Sequence, residues 1–318
     1  MKLISFALTG LLLLFSPLAT AQTFPDKPIR LIVPFAAGGL ADITMRIVGE
    51  KLSERLGQRI VIDNRPSGGG IAAAQAVAQS PADGYTLIVL TNGTAISVSL
   101  YKALPFDPVK DFVPISSVAY FDLVLLVDGK SPIKNVKDLL ATARSMGGKM
   151  NIGTINPGST QNLSAELFKS VAGIDALIVP FRSSPEVQTA LLRGDITVGF
   201  ESYAALKGAI DDGQLRAIAT SGTNRSLPNI PTVKESGVSN YEVVGWNAIF
   251  APAGTPADVV AKLNKGINEV VALPEVKQRI LDLGTEPRAG TPQEILARLQ
   301  SDIKKWGAVI EQAKIEKR

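Results

Sequence analysis

The chain has 318 residues, and its 33 lysines and arginines against 29 aspartates and glutamates give a formal net charge of +4. It contains no histidine and no cysteine, which excludes Ser-His-Asp and Cys-His catalytic groups and zinc sites of the usual kind. The small basic excess is not clustered, which argues against nucleic acid as a partner. With no evident nucleophile beside a base, we expect no catalytic residues, no metal and no cofactor.

The N-terminal segment has the pattern of a secretory signal peptide. Lys2 precedes an apolar stretch of residues 4–15, Pro17 breaks that stretch, and Ala19-Thr20-Ala21 forms a small-x-small cleavage site. The stretch is shorter than the roughly twenty apolar residues that span a bilayer. We predict cleavage after Ala21 and export to the periplasm, so that residues 1–21 are the signal peptide. An uncut membrane anchor is the alternative.

Strands and helices alternate along the rest of the chain, which predicts an α/β fold with parallel sheets. The first unit is predicted to contain strands at residues 29–35, 59–63 and 85–90 and helices at residues 42–56 and 71–79. The second is predicted to contain strands at residues 123–127, 150–154, 176–179, 196–200 and 215–220, with helices at residues 135–144, 159–171, 184–193 and 203–210.

The last part of the chain is predicted to be a strand at residues 243–250 followed by helices that reach residues 271, 283 and 313. The apolar faces of these amphipathic helices must pack against another part of the protein, and we expect them to pack against the first unit. The chain would then cross between two lobes near residues 120 and 243. We therefore predict that residues 22–121 and 245–318 form lobe 1 and that residues 122–244 form lobe 2.

In open α/β sheets a ligand binds at the carboxyl ends of the strands, so the loops that follow predicted strands are the candidate site. The first loop, residues 34–42, leads into a helix N-terminus through paired glycines, an arrangement that favours an anion. The candidate residues here are Phe35, Ala37, Gly38, Gly39, Ala41 and Asp42. A plain strand-to-helix turn, with Asp42 as a first-turn partner of the helix dipole, is the alternative.

The second loop, residues 153–160, nearly matches a phosphate-binding P-loop, but Ser159 occupies the position of the essential lysine. Nucleotide hydrolysis is therefore not expected. Thr154, Ser159 and Thr160 offer hydroxyl donors that suit a carboxylate or a neutral oxygen. The alternative is that Ser159 simply caps the following helix.

Two charged residues follow later strands. Arg182 could pair with a carboxylate through two hydrogen bonds, or it could be a solvated surface charge. Glu201 could accept a hydrogen bond from an amine or hydroxyl of a ligand, or it could cap the next helix.

Short motifs along the chain resemble the Bug (TctC-like) family, the periplasmic binding components of tripartite tricarboxylate transporters. The matching segments are residues 24–30, 33–35 with Gly38-Gly39 and Asp42, 64–66 with Gly69-Gly70, 81–87, 100–101, 104–107, 194–195, 231–233 and 251–256.

The resemblance implies a two-lobed periplasmic-binding-protein architecture with two crossover strands, closing like a hinge around one small organic acid. It also implies that the first and second loops hold a carboxylate and that two integral membrane transporter subunits receive the ligand. We expect a monomer. A ligand-sensing partner of a membrane kinase is the alternative role, and an exported enzyme is the least favoured one.

Several positions depart from the family pattern within the expected crevice. Leu40 and Ala41 replace a small residue and a hydroxyl residue, Gln161-Asn162 stand where Ser-His is common, Arg182 replaces a lysine, and Glu201 replaces an aspartate. These changes leave the ligand open among dicarboxylates, tricarboxylates, amino acids and aromatic acids.

Overall fold

The computed structural model describes residues 24–66, 70–312 and 315–317. The predicted signal peptide lies outside these residues. Within the described ranges, no helix combines the length and the apolar character that crossing a bilayer requires.

Ten strands and ten helices follow one another in the described residues, mostly where the sequence pattern predicts them. The strands are β1 (Ile29–Val33), β2 (Ile60–Asn64), β3 (Thr86–Thr91), β4 (Phe112–Asp128), β5 (Asn151–Ile155), β6 (Leu177–Phe181), β7 (Val198–Ser202), β8 (Leu215–Thr220), β9 (Val244–Pro252) and β10 (Thr285–Pro287). The helices are α1 (Leu40–Leu56), α2 (Ile71–Ala78), α3 (Asn92–Leu100), α4 (Val136–Met146), α5 (Thr160–Ala172), α6 (Ser184–Arg193), α7 (Tyr203–Asp211), α8 (Ala257–Ala272), α9 (Pro274–Leu281) and α10 (Pro292–Gln312).

The strands form two sheets that share β4. Their order is β2-β1-β3-β9-β4-β7-β5-β6, and β8 and β10 also pair with β4. Strands β1, β2 and β3 are parallel to one another, as are β5, β6 and β7, whereas β4 and β9 run antiparallel to their neighbours. The parallel sets place their strand-to-helix loops at one edge of each sheet, so the α/β prediction is confirmed.

Strand β4 changes partners in the middle of its length. Residues Phe112 to Asp122 pair with β9, whereas Leu123 to Asp128 pair with β7 and β8. The register shifts twice along β9, between Pro114 and Ser116 and between Ser117 and Ala119. One continuous strand therefore belongs to both lobes, and the two-lobed architecture with two crossover segments is confirmed.

The structure extends β4 well beyond the predicted strand at residues 123–127 and adds two elements that the pattern did not indicate, α3 and β10. Pro114, Ser116 and Ser117 interrupt the apolar pattern in the first half of β4, which is why the sequence predicts only the second half as a strand. Helix α3 has a sequence of poor helix formers, but Thr91 and Thr94 form a capping box that fixes its start.

The C-terminal helices cover the first lobe. Helix α8 packs against α1, and α10 packs against α3. A buried polar link joins α10 to α3 and β9, because Asp302 accepts hydrogen bonds from Trp246 Nε1 at 2.6 Å and from Asn92 Nδ2 at 3.2 Å. Arg298 pairs with the same carboxylate at 3.0 Å, so the charge of Asp302 is compensated where it is buried.

Candidate functional site

A cavity of about 510 Å³ lies between the loops of the two lobes. All of the predicted site residues except Asp42 and Thr154 line it, namely Phe35, Ala37, Gly38, Gly39, Ala41, Ser159, Thr160, Arg182 and Glu201. Apolar side chains from both lobes, including Leu40, Phe121 and Ile155, complete much of the wall. The cavity is large enough for a small metabolite and offers it a mixture of apolar surface and polar groups.

The loop after β1 is held open by a side chain of the helix that it precedes. Gly38 has φ of +81°, and its backbone N–H donates to Oδ2 of Asp42 at 2.9 Å. Gly39 then begins α1 with extended geometry and has no side chain to cap it. Arg46, one turn further along α1, pairs with Asp42 at 2.9 Å and also bonds Asn64 of β2.

The loop after β5 repeats this geometry in the second lobe. Gly158 has φ of +80°, and its backbone N–H donates to Oδ1 of Asn162 at 3.1 Å. Ser159 begins α5 in an extended conformation, and its hydroxyl accepts from the backbone of Asn162. Thr154 accepts from Asn162 Nδ2 at 3.3 Å, which ties the helix start back to β5.

Asp42 and Thr154 are not among the residues that line this cavity, and their assignment as direct ligand contacts stays a prediction. Both are buried and already engaged in hydrogen bonds. Burial opposes ionisation of Asp42, but the hydrogen bonds from Arg46, Gly38 and Asn64 outweigh it and lower the pKa of this carboxyl. These two side chains shape the loops, and the loops in turn form the cavity.

Five of the helices in the described residues begin at this cavity. Their N-cap residues all line it: Gly39, Thr91, Ser159, Ser183 and Ser202. The start of an α-helix carries unsatisfied backbone N–H groups and a partial positive charge, so convergence of several starts makes the cavity attractive to an anion. Of these residues, only Thr91 and Ser159 cap their helices with their own side chains.

Arg182 and Glu201 are the charged residues that line the cavity within the described parts of the chain. Arg182 is exposed at the mouth, and its backbone N–H donates to Glu186 at 3.0 Å. Glu201 is only 1% exposed, and its Oε1 accepts from Gln161 Nε2 and from the backbone of Ser202, each at 2.8 Å. Glu201 thus contacts the start of α7, as one of its two alternatives predicted, and its role toward a ligand stays a prediction.

Burial raises the pKa of Glu201, while the hydrogen bonds from Gln161 and Ser202 and the nearby hydroxyl of Ser184 lower it, and burial is the stronger influence. A carboxyl kept in such surroundings costs folding free energy unless a partner satisfies it. Glu201 is therefore the most unusual group in the cavity.

The sequence prediction omitted several residues of the wall. Thr91 ends β3 and Gly93 follows it, and the rule that led to the other loops would have included both. Phe121 and Asn247 belong to the interiors of β4 and β9, where no loop signal marks them. Their position depends on where β4 passes from one lobe to the other, which the apolar pattern did not indicate.

Comparison with known proteins agrees with this architecture. Residues 44–315 match the model of the tripartite tricarboxylate transporter family receptor, TctC. A UPF0065 protein of Bordetella bronchiseptica is 34% identical over 96% of this chain and 91% of its own length.

Two solved structures from Rhodopseudomonas palustris superpose over nearly their whole length. Rpa4515 with adipate is 33% identical with a TM-score of 0.87, covering 92% of this chain and 99% of that one. MatC with bound malate is 30% identical with a TM-score of 0.83, covering 90% of this chain and 100% of that one. The family match, the identity across the chain and the shared two-lobed fold show that this protein belongs to the Bug (TctC) family of solute-binding receptors.

Proposed function

We propose that this protein is an extracytoplasmic receptor that captures a small organic acid between its lobes and delivers it, unchanged, to two membrane subunits of a transporter. The observation that carries the proposal is the convergence of five helix starts on one cavity. Backbone N–H groups near residues 37–41 of one lobe and near Ser159 and Thr160 of the other would hold a carboxylate. The relatives named with adipate and malate support this ligand class.

Binding is coupled to hinge closure in this proposal. The loops that face the cavity belong to different lobes, and the lobes are joined where β4 changes partners, near Asp122. A ligand that contacts both lobes stabilises the closed form by the difference between its affinities for the two forms. The lobe boundaries at residues 121–122 and 244–245 are the proposed positions of the hinge.

The test is a thermal-shift screen of the purified protein against mono-, di- and tricarboxylates, amino acids and aromatic acids. A ligand that binds only the folded protein raises its melting temperature by mass action. The bound acid is then recovered and identified by mass spectrometry. Stabilisation by an acid that is recovered intact is the expected result. Conversion of the acid, or stabilisation by neutral solutes alone, would overturn the proposal.

A further inference from the structure

The two carboxylate oxygens of Glu201 differ in their hydrogen bonding. Oε1 accepts two hydrogen bonds, from Gln161 and from the backbone of Ser202. Oε2 is buried and accepts no hydrogen bond of regular geometry within the described residues, although the hydroxyls of Ser184 and Ser202 lie near the carboxyl. The two bonds to Oε1 hold the carboxyl in one orientation, because they approach from the start of α5 and from the start of α7. Glu201 lines the cavity, and its Oε2 is buried within the cavity wall.

Asn247, which lies in the opposite lobe, has an unpaired hydrogen-bond donor. It lies on β9, paired with Thr91 of β3, is 2% exposed, and lines the same cavity. Its Nδ2 donor is buried and also has no partner among the described residues. Buried polar atoms are nearly always paired in folded proteins, so each unpaired one calls for an explanation. Here one donor and one acceptor, on different lobes, line a single cavity.

The charged residues of the cavity wall restrict which ligand groups can lie beside the Glu201 carboxylate. A second carboxylate placed beside an ionised Glu201 would be repelled, and the exposed Arg182 at the mouth is the only basic residue in the described wall. A hydroxyl or an ammonium group has no such penalty, because either can donate to Oε2. An oxygen elsewhere on the same ligand can accept from Asn247.

We propose that the ligand is a carboxylic acid whose carbon chain bears a hydrogen-bond donor, a hydroxyl or an amino group, and that Glu201 selects it by accepting from that donor. Asn247 donates to an oxygen of the same ligand from the other lobe. This inference rests on the proposed function, since it assumes that the cavity binds an organic acid. It adds a selection rule at a named residue, so that substitution of one side chain should change the preference among acids of equal length.

The test compares acids that differ only in one substituent. One set is glutarate, 2-hydroxyglutarate, glutamate and 2-oxoglutarate, and an aromatic set is phenylacetate, mandelate, phenylglycine and phenylglyoxylate. Dissociation constants are measured by calorimetry. In the set that binds, the hydroxy or amino acid should bind about 10- to 100-fold more tightly than its unsubstituted and oxo relatives, the range expected for a hydrogen bond to a charged group.

Glu201→Gln should remove this preference. The amide keeps an oxygen to accept from Gln161 and Ser202 but presents a donor in place of Oε2, so the oxo acid should bind as well as the hydroxy or amino acid, or better. Asn247→Ala should instead weaken the hydroxy and oxo acids alike. Glu235→Gln is the matched control, because Glu235 lies in the same lobe outside the cavity, paired with Arg225. Its preference should equal that of the unchanged protein.

Two outcomes overturn the inference for different reasons. Tight binding of the unsubstituted acid, equal in the unchanged protein and in Glu201→Gln, would mean that Glu201 is protonated and donates to a ligand carboxylate. That result would be consistent with the proposed function, but it would contradict the proposed preference for hydroxy and amino acids. If no acid of either set binds and the carboxylate screen also gives no stabilisation, the proposed function fails, and the selection rule fails with it.

Discussion

The backbone N–H of Gly38 donates a 2.9 Å hydrogen bond to Oδ2 of Asp42, four residues later in the chain. Gly158 and Asn162 are related in the same way at 3.1 Å, and both glycines have φ near +80°. Each lobe therefore presents a glycine turn that is fixed by the first turn of its own helix. The cavity lies between two similar loops. The acceptor is a carboxylate oxygen of Asp42 in the first loop and the amide oxygen of Asn162 in the second.

Asp42→Ala should weaken both folding and ligand binding. The change removes the acceptor for Gly38 and the buried partner of Arg46, a loss that we expect to lower the free energy of unfolding by about 1–3 kcal/mol. Urea denaturation and calorimetry with a bound acid measure the two effects. Asp258→Asn is the control, since Asp258 is also in the first turn of a helix but is exposed. Unchanged affinity in Asp42→Ala would mean that the loop keeps its form without this bond.

Gly158→Ala should impair binding more than its effect on stability explains. A Cβ at this position would lie 2.9 Å from Leu100 Cδ2 on α3 of the other lobe, and the left-handed backbone adds about 1–2 kcal/mol of strain. Gly173→Ala has similar strain at φ of +60° but meets no atom within 4 Å. Both variants should lose stability in denaturation experiments, whereas only Gly158→Ala should lose affinity. Equal affinities in the two variants would mean that the contact between the new Cβ and Leu100 does not disturb the cavity.

Arg182→Ala should slow ligand association more than it speeds dissociation. The guanidinium is exposed at the mouth of the cavity, and charges in such positions act mainly on the association rate and its salt dependence. Stopped-flow measurements at low and high salt separate the two rates. Arg193→Ala at the far end of α6 removes the same charge away from the cavity and should leave both rates unchanged. A large effect on dissociation would show instead that closure buries Arg182 against the ligand.

Asp122 should make the protein less stable as the pH rises. Burial raises the pKa of this carboxyl to about 6, the Ser226 hydroxyl opposes that shift, and Glu286 and Glu242 add to it. The folded protein therefore holds the proton more tightly than the unfolded chain, in which the pKa is near 3.8. At about 1.4 kcal/mol per pKa unit, the contribution lost between pH 4 and pH 7 is about 2–3 kcal/mol.

Asp122→Asn should remove this dependence, since the amide does not ionise. Its free energy of unfolding should exceed that of the unchanged protein at pH 7 and equal it near pH 4. Denaturation curves across this range, with Asp258→Asn as the exposed control, provide the measurement. Parallel curves for the unchanged protein and Asp122→Asn would mean that Asp122 is ionised at little cost in the fold.

The loops of the site could be predicted from sequence because strand ends and helix starts leave local signals. Ser159 precedes an apolar helical pattern, and Gly38-Gly39 separates a strand from a helix, so both loops were predicted where the structure has them. Local sequence does not distinguish a side chain that braces a loop, as Asp42 and Thr154 do, from one that lines a cavity. Asn247 could not be predicted at all, since it reaches the cavity only through the pairing of β9 with β3.

The pairing of Asp122 with Val244 in register also has a consequence for how the protein is made. Residues 112–122 of β4 find their strand partners only in β9 and β10, and β3 has β9 as its partner opposite β1. A nascent chain that has not yet reached residue 244 therefore holds unpaired strand edges on β3 and β4, and such edges are templates for aggregation. The middle of the first sheet is completed late in synthesis, by a segment that follows the whole second lobe.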